Sequence, residues 1–143
     1  MPRILPYLPL LACLFSPVPP ALADGEGPSF VTAGQDEDYK RGRSAIEAKD
    51  WKAAIAAMSG VVERQPDNAN AWNWLGYAWR QSGDLQQAFK YYDKALRIDP
   101  AHRGAHEYAG EAWLQAGDLA RAQEHLKALD KLCWLPCEEY RDL

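Results

Sequence analysis

The chain has 143 residues, enough for one ordinary domain, and 48% of them are hydrophobic, as in a globular protein. Asp and Glu outnumber Lys and Arg by 20 to 16, for a net charge of −4, so there is no electrostatic footprint for nucleic acid and no basic run for an anionic membrane surface.

The first 23 residues differ from the rest. Arg3 is the only charge before Asp24, and Ile4 to Val18 is mostly apolar. Pro6, Pro9 and Pro17 interrupt it, and it is too short to span a bilayer as a helix. Ala21-Leu22-Ala23 supplies the small residues of a cleavage site. This order of charge, apolar run and small residues predicts a signal peptide over 1–23 and an exported chain, periplasmic or secreted, with no membrane span once the leader is removed. Leu11-Ala12-Cys13 has the outline of a lipidation box, but more apolar residues follow it. Residues 24–34 hold three glycines and a proline without periodicity and read as a flexible leader.

From residue 35 onward the chain repeats itself every 34 residues. Gly42, Gly76 and Gly110 fall in register, as do Ala54, Ala88 and Ala122, and Asp50, Asp84 and Asp118. Pro66 aligns with Pro100. The period divides the chain into copies at 35–68, 69–102 and 103–136, and the segment 137–143 remains. Apolar spacing, breakers and caps predict helices over 36–48, 51–64, 69–81, 85–98, 103–115 and 119–132. Trp72, Leu75 and Trp79 share one helix face, and Gly76 and Ala88 lie where paired helices cross. Gly83 and Gly117 can take the left-handed conformation that ends a helix. Asp84 can cap the next one, with Gln87 completing a capping box. Lys49 stands where the first copy lacks that glycine, so its turn should be less favourable. Pro136, followed by Glu138 and Glu139, predicts a last short helix beginning at the proline, with Tyr140 and Leu143 as its apolar face.

The second copy, Trp72-x2-Leu75-Gly76-x2-Trp79, then Ala88-x3-Tyr92, then Pro100, resembles the tetratricopeptide repeat. The resemblance covers residues 35–136. It implies an all-α solenoid of three helix–turn–helix repeats forming a right-handed superhelix, closed by a short C-terminal capping helix, and a scaffold or adaptor that binds a protein or peptide segment in its concave groove. The family's groove register falls on Tyr39 and Arg43 in the first copy and on Asn70, Asn73, Tyr77 and Arg80 in the second. In the third it falls on Glu107, Glu111 and Leu114. These residues are expected to be exposed, with Tyr77 and Arg80 as the main contacts. The clamp that some relatives use for a C-terminal carboxylate is not matched: its basic and Asn positions are Tyr39, Trp74, Gly104 and Tyr108 here, and only Arg43 is polar as required.

Other chemistry is sparse. Cys133 and Cys137 flank a turn at Pro136 and read as a structural disulfide, with free thiols or a redox or metal module as alternatives. His102 and His106 are one turn apart, a metal-compatible spacing, but no carboxylate completes a triad, and they read as surface histidines. There is no phosphate loop, no serine elbow and no His-Glu-x2-His. The expectation is therefore a protein that is not an enzyme, with no cofactor and no metal. A structural array that self-associates through its repeat ends is a further reading.

Overall fold

The computed structural model describes residues 36–143; the proposed signal peptide, the leader and Cys13 lie outside the described residues. Six helices alternate as three antiparallel hairpins: α1 (Glu37–Glu47) with α2 (Trp51–Arg64), α3 (Ala69–Gln81) with α4 (Leu85–Ile98), and α5 (Arg103–Gln115) with α6 (Leu119–Leu132). A seventh, α7 (Glu138–Asp142), packs on α5 and α6. Each hairpin touches the next, α2 on α3 and α4 on α5, while α1, α3 and α5 lie side by side. This is the all-α helix–turn–helix solenoid that the resemblance implies.

The helices begin where a short polar side chain can satisfy the first backbone N–H groups. Asp36, Asp50, Asn68, Asp84 and Asp118 each accept such a bond, and His102 does the same with its ring. The capping box at Asp84 is only half made. Gln87 N donates to Asp84 Oδ1 at 3.0 Å, but Asp84 N already donates to Trp79 O, so no donor is left for the Gln87 side chain. The two turns with glycine use it: Gly83 has φ +95° and Gly117 φ +79°. The first turn makes the same left-handed conformation with Lys49, φ +57°, where a side chain is strained.

Small residues set the spacing within hairpins. A Cβ on Gly76 would sit 2.7 Å from the Tyr92 ring, and one on Gly42 would sit 2.7 Å from Met58. Tyr92 and Met58 are themselves one repeat apart and are fully buried. The third copy has Leu126 at that register, and Leu143 from beyond α7 fills the space over Gly110 instead. The rest of the core is alanine-rich, with Leu75, Val61 and Leu129 as its large members.

The end of the chain departs from expectation in one respect. Pro136 is not the first helical residue. Cys137 caps α7 in an extended conformation (φ −79°, ψ 171°), held there by its disulfide to Cys133 across a Cα–Cα distance of 5.7 Å. Pro136 stays in the small ring that the bridge closes.

Candidate functional site

One face of the solenoid is built by α1, α3 and α5, and an aromatic band runs across it. Tyr77 of α3 lies between Trp51 (ring centroids 6.2 Å apart), Trp74 (5.7 Å) and Tyr108 of α5 (4.9 Å). Trp74 and Tyr108 also meet, at 5.9 Å. The Arg43 guanidinium from α1 covers the Trp74 ring at 3.7 Å, so the band links all three repeats. These rings converge because Trp74 and Tyr108 are one repeat apart and Tyr77 follows Trp74 by nearly one turn.

Arg80 lies beneath this band and is a correction to the expected site. It is 8% exposed, not a surface contact, and its guanidinium bonds Glu111 of the next repeat at 2.5 Å. The physical reason is the stacking itself: α5 packs against α3, which closes water off from Arg80 and leaves a carboxylate as its partner. Tyr92 lies beside it, and burial pushes the Tyr92 phenol well above the usual range, with Arg80 partly offsetting. Asn73 is likewise buried, at 3% exposure, and its Oδ1 has no hydrogen-bond partner. Leu114, one repeat after Arg80, is exposed and lines a small hollow with Leu119, Leu126 and Leu143.

Beside the aromatic band is a cavity of about 440 Å³ walled by α3, α5 and α7. Asn70, Asn73, Trp74, Glu107 and Tyr108 contribute from the first two helices, and Glu138, Glu139 and Asp142 from α7. Glu107 is held up to about 7, by burial first and then by the neighbouring carboxylates Glu111, Asp142 and Glu139. His102 stands at the edge with both ring nitrogens engaged. Nδ1 accepts from Ala105 N at 3.0 Å, so Nε2 carries the proton and donates to Asn70 Oδ1, also at 3.0 Å. Burial lowers the pKa of this imidazole and favours that neutral form.

The structure therefore brings together Arg43, Asn70, Asn73, Tyr77, Arg80, Glu107 and Glu111 of the expected residues, and Tyr39 packs at the α1 edge against the first core cluster. Sequence reasoning passed over Trp74 and Tyr108, which it treated only as departures from a carboxylate clamp. Two aromatics at one register, 34 residues apart, were the available signal. The α7 carboxylates had no such signal, because only the fold of the last helix brings them to α5. The histidines, expected as surface residues, are half-buried and bonded: His102 is a helix cap, and His106 turns to His125, with Nδ1 to Nδ1 at 3.0 Å. Among the described residues, no three His, Cys, Asp or Glu side chains converge as metal ligands, and no helix is long and apolar enough to cross a membrane.

Two family models, each described as tetratricopeptide repeat, match residues 39–103 and 79–132. Among curated proteins, the chain is 36% identical over 61 residues to "BBSome complex member bbs-4" of Caenorhabditis elegans, covering 43% of this chain and 13% of that one. It is 33% identical over 61 residues to "Superkiller complex protein 3" of Homo sapiens, covering 43% of this chain and 4% of that one. The chain thus matches only a small part of these longer proteins. Among solved structures, "MamA 41-end from Desulfovibrio magneticus RS-1" superposes with a TM-score of 0.64 at 26% identity, over 66% of this chain and 54% of that one. The "TPR2B-domain:pHsp70-complex of yeast Sti1" superposes with a TM-score of 0.63 at 24% identity, over 64% and 74% of the two chains, a likeness of fold.

Proposed function

The chain belongs to the tetratricopeptide-repeat family, and we propose that it is an exported scaffold that binds an extended protein segment along the concave face formed by α1, α3 and α5. The observation that carries this reading is the aromatic band of Trp74, Tyr77 and Tyr108, partly exposed, pinned by Arg43 and backed by the buried Arg80–Glu111 pair. Aromatic and Arg side chains on a rigid support are the residues that concentrate binding energy at interfaces. Export rests on the leader-like composition of residues 1–23 and on the Cys133–Cys137 bridge, since disulfides persist in oxidising compartments. The bridge joins the two cysteines that a thiol-redox or metal module would use, and in this reading it is structural.

The test is affinity capture from an envelope or culture extract with the oxidised chain, then titration of the captured protein. The substitution Trp74→Ala/Tyr108→Ala should weaken that binding by about 2 kcal/mol or more, roughly thirtyfold, with helical circular dichroism retained. Undiminished binding by the folded variant would move the interaction off this face.

One observation favours a second reading, self-association. Among the described residues, the exposed large hydrophobics are Leu114, Leu119, Leu132, Trp134 and Leu135, all at the terminal repeat, and Trp134 is 99% exposed on the disulfide ring. A repeat end of this kind lacks the polar outer face that isolates a solenoid. Sedimentation of the chain beside its Trp134→Ser/Leu135→Ser variant decides it: a concentration-dependent oligomer lost in the variant supports stacking, and a monomer at all concentrations removes it.

A further inference from the structure

We propose that the cavity between α3, α5 and α7 receives a lysine or arginine side chain of the bound segment. This rests on the concave-face reading above and adds which chemistry of the partner is recognised.

The cavity is rich in carboxylates. Its carboxylates are Glu107, Glu138, Glu139 and Asp142, and of these only Glu139 has a cation, Arg103 at 3.4 Å. Among the described residues, Glu107, Glu138 and Asp142 have none within 4.0 Å. The cations nearby are already engaged. Arg80 is bound to Glu111, and Arg43 lies flat on Trp74. His102 has committed its one ring proton to Asn70.

A second, independent feature points the same way. Asn73 is almost wholly buried in the cavity wall, and its Oδ1 has no donor. Buried polar groups are ordinarily paired; Asn73 Oδ1 is turned into the wall rather than the cavity, and a flip of the amide offers it to a donor from outside the fold. The wall also holds Trp74 and Tyr108, whose rings can pack on an alkyl stem and attract a cation.

The size and spread of the site select the ligand. About 440 Å³ accommodates a long side chain. A bare divalent ion needs several oxygens converging at about 2.3–2.6 Å, and among the described residues no three carboxylates do so. An ammonium or guanidinium carries several donors on a flexible stem and can reach acceptors spread around a wall. The raised pKa of Glu107 agrees with a site short of one positive charge.

The probes are capped five-residue peptides, Ala-Ala-Xaa-Ala-Ala, with Lys, Arg, norleucine or Glu in the centre, titrated into the oxidised full chain and followed by NMR. An uncapped alanine peptide serves as a control for an N-terminal ammonium. The Lys and Arg peptides should move the Trp74 indole and Asn73 amide signals saturably, with norleucine and Glu at least about tenfold weaker. Glu107→Gln/Asp142→Asn should cost the Lys peptide about tenfold without changing circular dichroism. Lys affinity should rise between about pH 6 and pH 8 as Glu107 loses its proton, and Glu107→Gln should flatten that rise. Equal binding of Lys and norleucine peptides, binding by the uncapped control alone, no binding at all, or indifference to Glu107→Gln/Asp142→Asn would each overturn the proposal. If any of these occurs while Trp74→Ala/Tyr108→Ala still loses the captured protein, the concave-face reading stands and only its cationic specificity falls.

Discussion

Replacing Arg80 with Ala tests how the repeats are joined. The Arg80 side chain is 6% exposed and its partner Glu111 is 30% exposed, with 2.5 Å between them. Removing one member of a fully buried ion pair costs about 3–5 kcal/mol, because the other charge is left uncompensated. Glu111 keeps some water, so the expected loss is smaller, about 2–3 kcal/mol. It is raised by the stranded carboxylate lying beside Glu107, which Arg80 also helps to keep ionised. The guanidinium further packs near Tyr77 and Tyr108, at 5.3 and 5.7 Å from their ring centres, and that packing is lost too. For a domain near 100 residues, each kcal/mol moves the melting temperature by about 4–8 °C, so a fall of about 10 °C or more is expected. Repeats contact only their neighbours, so urea unfolding should broaden as the third repeat melts ahead of the first two. Arg80→Met/Glu111→Leu should recover most of the loss, because an apolar pair leaves no buried charge. A single variant within about 0.5 kcal/mol of the parent, or a double variant as weak as the single, would refute the argument that Arg80 acts through a buried inter-repeat pair.

Lys49→Gly should stabilise the first hairpin by about 1 kcal/mol, since a side chain at φ +57° is strained and the equivalent turns use Gly83 and Gly117; urea midpoints give the sign, and a loss would mean the Lys49 side chain contributes more than its strain. Cys133→Ser/Cys137→Ser removes a five-residue ring worth about 2 kcal/mol in loop entropy, and hydrogen exchange should rise in α6 and α7 while α1 to α4 keep their protection. The pH dependence has two opposed parts. His102 and His125 have lowered pKa values, both chiefly from burial, so the unfolded chain binds protons that the fold resists, and stability falls as pH drops below about 6.5. Glu107, raised to about 7, contributes in the other direction: its share is present below its unfolded value of 4.5 and is lost as pH rises through about 7. Urea unfolding of Glu107→Gln should therefore show a gain over the parent at about pH 8 that shrinks toward pH 5; an equal gain at both would contradict the burial assigned to this carboxylate.

What was legible in the sequence, and what was not, follows from where each feature is encoded. The hairpins were legible because each helix boundary is written locally, in Asp50, Asp84, Asp118, Gly83 and Gly117. The face itself was legible from the repeat register. The exposure of its residues was not, because burial depends on the neighbouring repeat: Tyr77 and Arg80 share a stripe on α3, but only α5 decides that one ends under the other. The acidic cavity needed α7 folded back on α5, which no spacing in the chain announces.

The histidines show the same distinction at one register. Trp72 Nε1 donates to Pro66 O at 2.8 Å, and one repeat later His106 Nε2 bonds Pro100 O at 3.0 Å. Tyr91 stacks on Trp72 at 5.7 Å, and His125, one repeat after Tyr91, faces His106 at 5.3 Å. In the second and third copies a ring with an N–H stands at the first position and a second ring beside it, whereas the first copy has Asp38 and Ala57 there. A carbonyl can only accept, so His106 carries its proton on Nε2 when neutral and presents the Nδ1 lone pair to His125, which must donate from its own Nδ1. Counting residues along one helix paired His106 with His102. The 34-residue period pairs it with the successor of Tyr91, across the hairpin, and it is the period that the fold obeys.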